Sequence, residues 1–207
     1  EMNTITCSAA ISACEKSGEW EKALRLLSVM VQGKVKMNTI TYSAAISACE
    51  KAAQWRHALN VLAEMHQNKV EVNVITCSSA MSACEKGEQW QQALSILRWM
   101  QQHMVEVNVI AYSAAISACE KGEEWQQALC LLAEMPRMDL QPNVIAYSAT
   151  ISACEKSEAW QQAFHLLIDM QKNDLQKNVI TYNAAISACK KGDQWQHVLS
   201  LLAEMQR

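Results

Sequence analysis

The chain has 207 residues, half of them apolar and 19% charged, with a formal net charge of −3. Five Gly and two Pro are too few for a collagenous or Pro-rich disordered chain, or for a strand sandwich with many tight turns. The near-neutral balance argues against nucleic-acid binding by bulk charge alone, and without an 18-residue apolar run the sequence predicts no membrane-spanning helix.

Seven Trp against one Phe, and nine Cys, are odd counts that their positions explain. Trp20, Trp55, Trp90, Trp125, Trp160 and Trp195 step by 35 residues, as do Cys14, Cys49, Cys84, Cys119, Cys154 and Cys189. Asn3, Asn38, Asn73, Asn108, Asn143 and Asn178 keep the same step. The chain is six copies of one 35-residue unit, and such a period means a stacked array. The units run approximately over 4–38, 39–73, 74–108, 109–143, 144–178 and 179–207, the last incomplete, within a single array over 1–207. Glu1-Met2 reads as the tail of a preceding connector and Arg207 as the end of a helix, so the array is expected to be a segment of a longer one.

Each unit opens at the Asn, a good N-cap whose side chain accepts from an orphan N–H of the first turn. The apolar residue before it (Met37, Val72, Val107, Pro142) is placed to staple onto Tyr42, Cys77, Tyr112 or Tyr147; Lys177 interrupts this in the last unit. At offsets four, seven, eight and eleven from the Asn come residues such as Tyr112, Ala115, Ile116 and Cys119, the buried stripe of a first helix. Gly after the closing Lys, as at Gly87, Gly122 and Gly192, suits a helix C-cap. A second helix starts at the Trp, with Trp20, Ala23, Leu24, Leu27 and Met30 at helical spacing. It ends in a connector with one apolar anchor: Val35, Val70, Val105, Leu140 or Leu175. No hairpin could bury its stripe alone, so the units must stack into an all-α solenoid of six helix-turn-helix repeats.

The opposite face of the first helix carries offsets two, five, nine, twelve and thirteen, which read Ile, Ser, Ser, Glu, Lys in five of the six units. Ile5, Ile40, Ile75, Ile110, Ile145 and Ile180 recur in the middle of this polar face. They either meet the neighbouring unit or offer an apolar surface to a ligand, and stacking would line the six faces up as one groove.

The 35-residue period, the Asn-Val-Ile-Thr-Tyr-Asn run at 178–183, the Ala-Leu ahead of the Met and the Met of each second helix resemble the pentatricopeptide repeat family over the full chain. The recurring Trp is a departure, since that family usually has a smaller apolar residue there. The resemblance implies a right-handed superhelix that binds single-stranded RNA, one base per repeat. It implies that bases are selected by Ser8, Ser43, Ser78, Ser113, Ser148 and Asn183, paired with the last residue of the same unit: Asn38, Asn73, Asn108, Asn143 and Asn178. Ile5, Ile40, Ile75, Ile110, Ile145 and Ile180 would then sandwich bases, and Lys16, Lys51, Lys86, Lys121, Lys156 and Lys191 would meet phosphates.

A carboxamide can present a donor and an acceptor together, matching adenine. By the family's pairing, Ser with Asn selects adenine and Asn183 leans toward a pyrimidine, so the implied target is about five adenines and then a pyrimidine, with the first unit at the 5′ end. RNA processing, stability or translation in a mitochondrion or plastid follows from the same resemblance. Set against it, the Asn can serve as an N-cap alone, the Lys can be a solvated residue complementing the helix dipole, and the Glu before it would weaken RNA attraction. The competing class is a protein-interaction scaffold or a structural subunit of a ribonucleoprotein complex.

The Cys ladder reads as core: equivalent residues of stacked units sit too far apart for disulfides, and no CxxC suggests zinc. Unpaired thiols fit a reducing compartment. His57, His66, His103, His165 and His197 fall at scattered offsets and read as surface residues. No phosphate loop, nucleophile elbow or deaminase motif is present, so no enzyme, cofactor, metal or small-molecule substrate is expected from this stretch.

Overall fold

The computed structural model describes residues 3–192 and 194–205. Glu1-Met2 and Gln206-Arg207, where the sequence suggested cut ends, lie outside the described residues. Among the described residues the chain is helical, without strands. Among the described residues no helix is long and apolar enough to cross a membrane. The first helices are α1 (Thr4–Ser17), α3 (Thr39–Lys51), α5 (Val74–Lys86), α7 (Val109–Lys121), α9 (Val144–Lys156) and α11 (Val179–Lys191). Their partners are α2 (Trp20–Gln32), α4 (Trp55–Gln67), α6 (Trp90–Gln102), α8 (Trp125–Glu134), α10 (Trp160–Lys172) and α12 (Trp195–Met205). Every second helix starts at a periodic Trp, as its spacing predicts. The fold is a helical repeat solenoid. Its chain divides into two compact bodies, residues 1–114 and 115–207.

In the first body α1, α3 and α5 lie side by side, while α2 packs against α1 and α3 and α4 against α3 and α5. The second body repeats this, with α10 wedged between α9 and α11. Flanked on three sides, a first helix buries more than one stripe. Tyr42, Ala45, Ile46 and Cys49, the predicted stripe of α3, are fully buried, and so are Ala44 and Ala48 on its flanks. Small side chains there let adjacent first helices approach closely. The second helices bury one face only, for example Ala58, Val61 and Met65 of α4. Tyr42 reaches the end of α4, where its hydroxyl accepts from Asn68 Nδ2 (2.8 Å) and donates to Glu64 (3.3 Å). Burial pushes its phenol above the usual range.

The hairpin turns differ from expectation in a physically clear way. Gly87 caps α5 with φ −91°, and the left-handed residue is the next one, Glu88 (φ 56°). Ala53, Glu123 and Glu158 take the same conformation, as Gly18 does in the first unit. The following N–H then reaches back to the periodic Cys carbonyl, as from Gln89 to Cys84 (2.8 Å), closing a Schellman-type turn. Gly at 87 answers a packing need instead. A Cβ there would meet Trp55 Cδ1 at 2.3 Å, and one at Gly192 would meet Trp160 Cδ1 at 2.2 Å. The Trp of one unit thus seats on the turn of the next.

Pro136 sets the other departure. It stands where Gln101 stands one unit earlier, and α8 gives way there to a 3-10 turn over Met135–Met138.

The nine cysteines are free. Burial pushes the thiols of Cys84, Cys119 and Cys154 up to about 12 and those of Cys49 and Cys77 up to about 11. They are core residues.

Candidate nucleic-acid interface

The six Asn residues at the head of the first helices all cap them, each Oδ1 accepting from the N–H three residues on. Where that residue is Thr, its hydroxyl returns a bond to the Asn, as in Thr41 Oγ1 to Asn38 Oδ1 (2.9 Å) and Thr76 Oγ1 to the Asn73 carbonyl (2.8 Å). Ala111 and Ala146 lack the hydroxyl and keep only the backbone bond, to Asn108 (3.0 Å) and Asn143 (2.8 Å). The cap therefore occupies the carboxamide oxygen. A carboxamide offering donor and acceptor together, as the sequence suggested, is reduced at Asn38 to its Nδ2 donor.

In the first unit the structure links the Ser to the Asn that ends the unit through one hydroxyl. Ser8 Oγ lies 2.7 Å from Thr41 Oγ1, and Thr41 is the residue that braces Asn38. Ser43 and Ser148 instead donate back to the carbonyls of Thr39 (2.7 Å) and Val144 (2.6 Å), leaving their oxygens as acceptors. Ser78 Oγ is buried without a hydrogen-bond partner. Ser8 and Ser113 are nearly covered, Ser43, Ser78 and Ser148 are half-buried, and Asn183 is exposed. These hydroxyls therefore lie deeper than an open polar face would place them. Their side of the first helix meets the next first helix, as α1 meets α3.

The Ile series stands at the rim. Ile5 is 80% exposed, and Ile40, Ile75, Ile110, Ile145 and Ile180 are between 62% and 65% exposed. The array leaves most of each of these side chains uncovered. A branched apolar side chain held in water at the same position of every unit gains only when something covers it.

The Lys series does more than face solvent. Lys51 pairs with Glu15 (3.1 Å), Lys86 with Glu50 (3.0 Å), Lys156 with Glu120 (2.7 Å) and Lys191 with Glu155 (2.8 Å), always reaching back to the preceding unit. Lys51, Lys156 and Lys191 also donate to the backbone carbonyl of that Glu. Each is thereby a second donor to a carbonyl in the last turn of the neighbouring helix, which already accepts an N–H of its own hairpin turn. The bond to Glu155 raises the Lys191 ammonium above its ordinary range. Lys16 is exposed, and Lys121 lies 3.8 Å from its neighbour Glu120. The Ser at offset nine is also a tie between units in one case, Ser47 to Ser79 (3.3 Å).

The histidines pack on aromatic rings more than the sequence suggested. His103 stacks on Trp99, the one Trp outside the 35-residue series, at 4.3 Å; His66 meets the edge of both, and His57 lies against Trp20. Lys177 replaces the apolar staple with a cation held 5.7 Å from the Tyr182 ring. Among the described residues no group of three or more His, Cys, Asp or Glu is placed to hold a metal.

An array of helical hairpins that repeats one apolar, hydroxyl, carboxamide and cation set per unit defines a modular repeat protein. Residues 4–135 match the family model of pentatricopeptide repeat-containing proteins, residues 142–191 that of the PPR repeat family and residues 180–207 that of the PPR repeat. The chain belongs to the pentatricopeptide repeat family. No curated protein sequence matches it.

Among solved structures it is similar to the pentatricopeptide repeat protein PPR10 from maize, with 22% identity and a TM-score of 0.74 over 100% of this chain and 30% of that one. PPR10 in complex with an 18-nt psaJ RNA element is similar at 21% identity and TM-score 0.70, over 100% of this chain and 28% of that one. The PPR domain of Arabidopsis thaliana protein-only RNase P 1, in complex with tRNA, is similar at 14% identity and TM-score 0.76, over 90% of this chain and 98% of that one. At these identities the likeness is one of fold, and the chain spans about 30% of the length of PPR10.

Proposed function

We propose that this array binds single-stranded RNA along the face formed by its first helices, one base per repeat. The observation that carries the reading is the set of six exposed Ile, which repeat with the array and have no role in its core. Flat bases between them would recover the apolar contact that the free chain lacks. PPR10 and the PPR domain of the Arabidopsis RNase P were each solved with RNA, which supports the same class of ligand here.

Base choice falls to the Ser–Asn pairs. With Ser hydrogens committed inward at Ser43 and Ser148, and the oxygens of their partners Asn73 and Asn178 accepting in their caps, each of these units offers a Ser acceptor and an Asn donor. Adenine's exposed N–H and ring nitrogen answer that pattern. Together with the family resemblance this favours a target of about five adenines followed by a pyrimidine read by Asn183. Lys51, Lys86, Lys156 and Lys191 would exchange or share their Glu partners with phosphates, since an ammonium has three donors and at most two are used here. That competition predicts modest affinity, with a salt slope of roughly −0.7 per Lys–phosphate contact. Work on organellar transcripts, in processing, stability or translation, is the setting the resemblance favours.

Labelled A-rich, U-rich and C-rich RNA 10-mers test the reading by fluorescence anisotropy. Tightest binding of the A-rich strand is expected, with duplex RNA bound more weakly. Equal binding of all three would remove the adenine assignment. Absence of binding to any of them would leave a protein-interaction scaffold as the better account.

A further inference from the structure

We infer that Thr41, three positions into the following first helix, is a third specificity determinant of the first base site, acting by fixing which way the Ser and Asn hydrogens point, and that Ala111 at the same place withholds it from the third site. This rests on the RNA-binding reading above and deepens it.

The argument is one of donors and acceptors. Asn38 Oδ1 accepts the Thr41 backbone N–H at 3.0 Å, so that atom is the carboxamide oxygen and cannot donate. Thr41 Oγ1 lies 2.9 Å from the same oxygen and must therefore donate to it. Its single hydrogen is then spent. Ser8 Oγ, 2.7 Å from Thr41 Oγ1, must be the donor in that contact. The relay Ser8 to Thr41 to Asn38 leaves Ser8 with lone pairs only, and leaves Asn38 with its Nδ2 hydrogens only. The first site is polarised before any ligand arrives, as acceptor at Ser and donor at Asn.

The third site is built from the same Ser and Asn but is not polarised. Its Thr is replaced by Ala111, Asn108 keeps only the bond from the Ala111 N–H, and Ser78 Oγ is left buried without a partner. A hydroxyl with an uncommitted hydrogen can donate to one base and accept from another. The third site should therefore tolerate more bases than the first, although their Ser and Asn are identical.

The test uses the 207-residue chain and RNA 10-mers in which only the base facing unit 1 or unit 3 is varied among four. The unmodified chain is expected to prefer adenine more sharply at the first position than at the third. Ala111→Thr should sharpen the third position by roughly three- to tenfold, the worth of one neutral hydrogen bond. Thr41→Ala should flatten the first position by a similar factor, and Thr41→Ser, which restores a hydroxyl, should recover it. Circular dichroism verifies that each variant is folded. Base profiles unchanged in all three variants, with overall RNA affinity intact, would overturn the inference while leaving the RNA-binding reading standing. Loss of RNA binding by the unmodified chain would overturn both.

Discussion

Truncating one rim Ile separates a ligand-facing role from a structural one, and the structure sets the size of the effect. Ile75→Ala removes three carbons, worth about 0.8 kcal/mol each when buried. With Ile75 63% exposed, the share a ligand can still cover amounts to about 1.5 kcal/mol, close to tenfold in Kd. The share already covered sets a folding cost of about 0.9 kcal/mol. Ile46→Ala on α3 is the control. That side chain is 0% exposed, so truncation should cost about 2–5 kcal/mol of stability. Urea denaturation gives the folding cost, and anisotropy with an A-rich 10-mer, under conditions where both variants are folded, gives the binding cost. The expected pattern is crossed: Ile75→Ala loses RNA affinity with little loss of stability, and Ile46→Ala does the reverse. An Ile75→Ala protein that binds RNA as tightly as the parent, or that unfolds as readily as Ile46→Ala, would refute the assignment of the Ile series to a ligand.

Three further outcomes follow from the geometry. Buried thiols at Cys49, Cys84, Cys119 and Cys154 have folded-state values of about 11 to 12 against 9.0 for a free thiol, so the folded chain holds protons that the unfolded one releases. Their contribution is intact below pH 9 and is lost as pH rises toward 12, at up to about 1.4 kcal/mol per pH unit per thiol. The urea midpoint should fall between pH 8 and pH 10.5, and fall less in Cys84→Ala; a flat profile contradicts the burial. Gly87→Ala forces a Cβ into Trp55 and should cost about 1–3 kcal/mol, whereas Glu88→Gly relieves a left-handed non-Gly residue and should stabilise by about 0.5–1 kcal/mol in the same assay. The opposite order would show that Gly87 is there for its backbone freedom. Glu50→Gln frees Lys86 from a half-exposed pair and should tighten RNA binding up to about fivefold at low salt; weaker binding would mean that the pair positions the Lys for phosphate.

Much of the fold was legible because the period gives six readings of every position. The offsets of Tyr42, Ala45, Ile46 and Cys49 predicted a buried stripe, and all four are fully buried. Asn as N-cap and Trp as the start of each second helix were equally plain. What one unit cannot show is anything that depends on its neighbour. Ala44 and Ala48 are buried because a first helix is flanked on both sides. The Lys–Glu pairs join residues 36 apart and the Ser8–Thr41 bond joins residues 33 apart, so a helix wheel never brings them together. Gly87 looked like a left-handed cap because Gly usually is one; the competing demand, room for Trp55, comes from the preceding unit. The candidate site was legible as a set of side chains, while the direction of its hydrogen bonds was not.

Ser43→Asn tests the central claim most directly, because it changes one reading residue whose hydroxyl has no partner outside its own helix. Affinities of the parent and variant chains are to be compared on RNA 10-mers that differ only at the base facing the second unit. The account predicts a shift in preference from adenine toward a pyrimidine at that position alone, with the other positions unchanged. The same preference in both proteins, or an equal loss of affinity for every base, would contradict it.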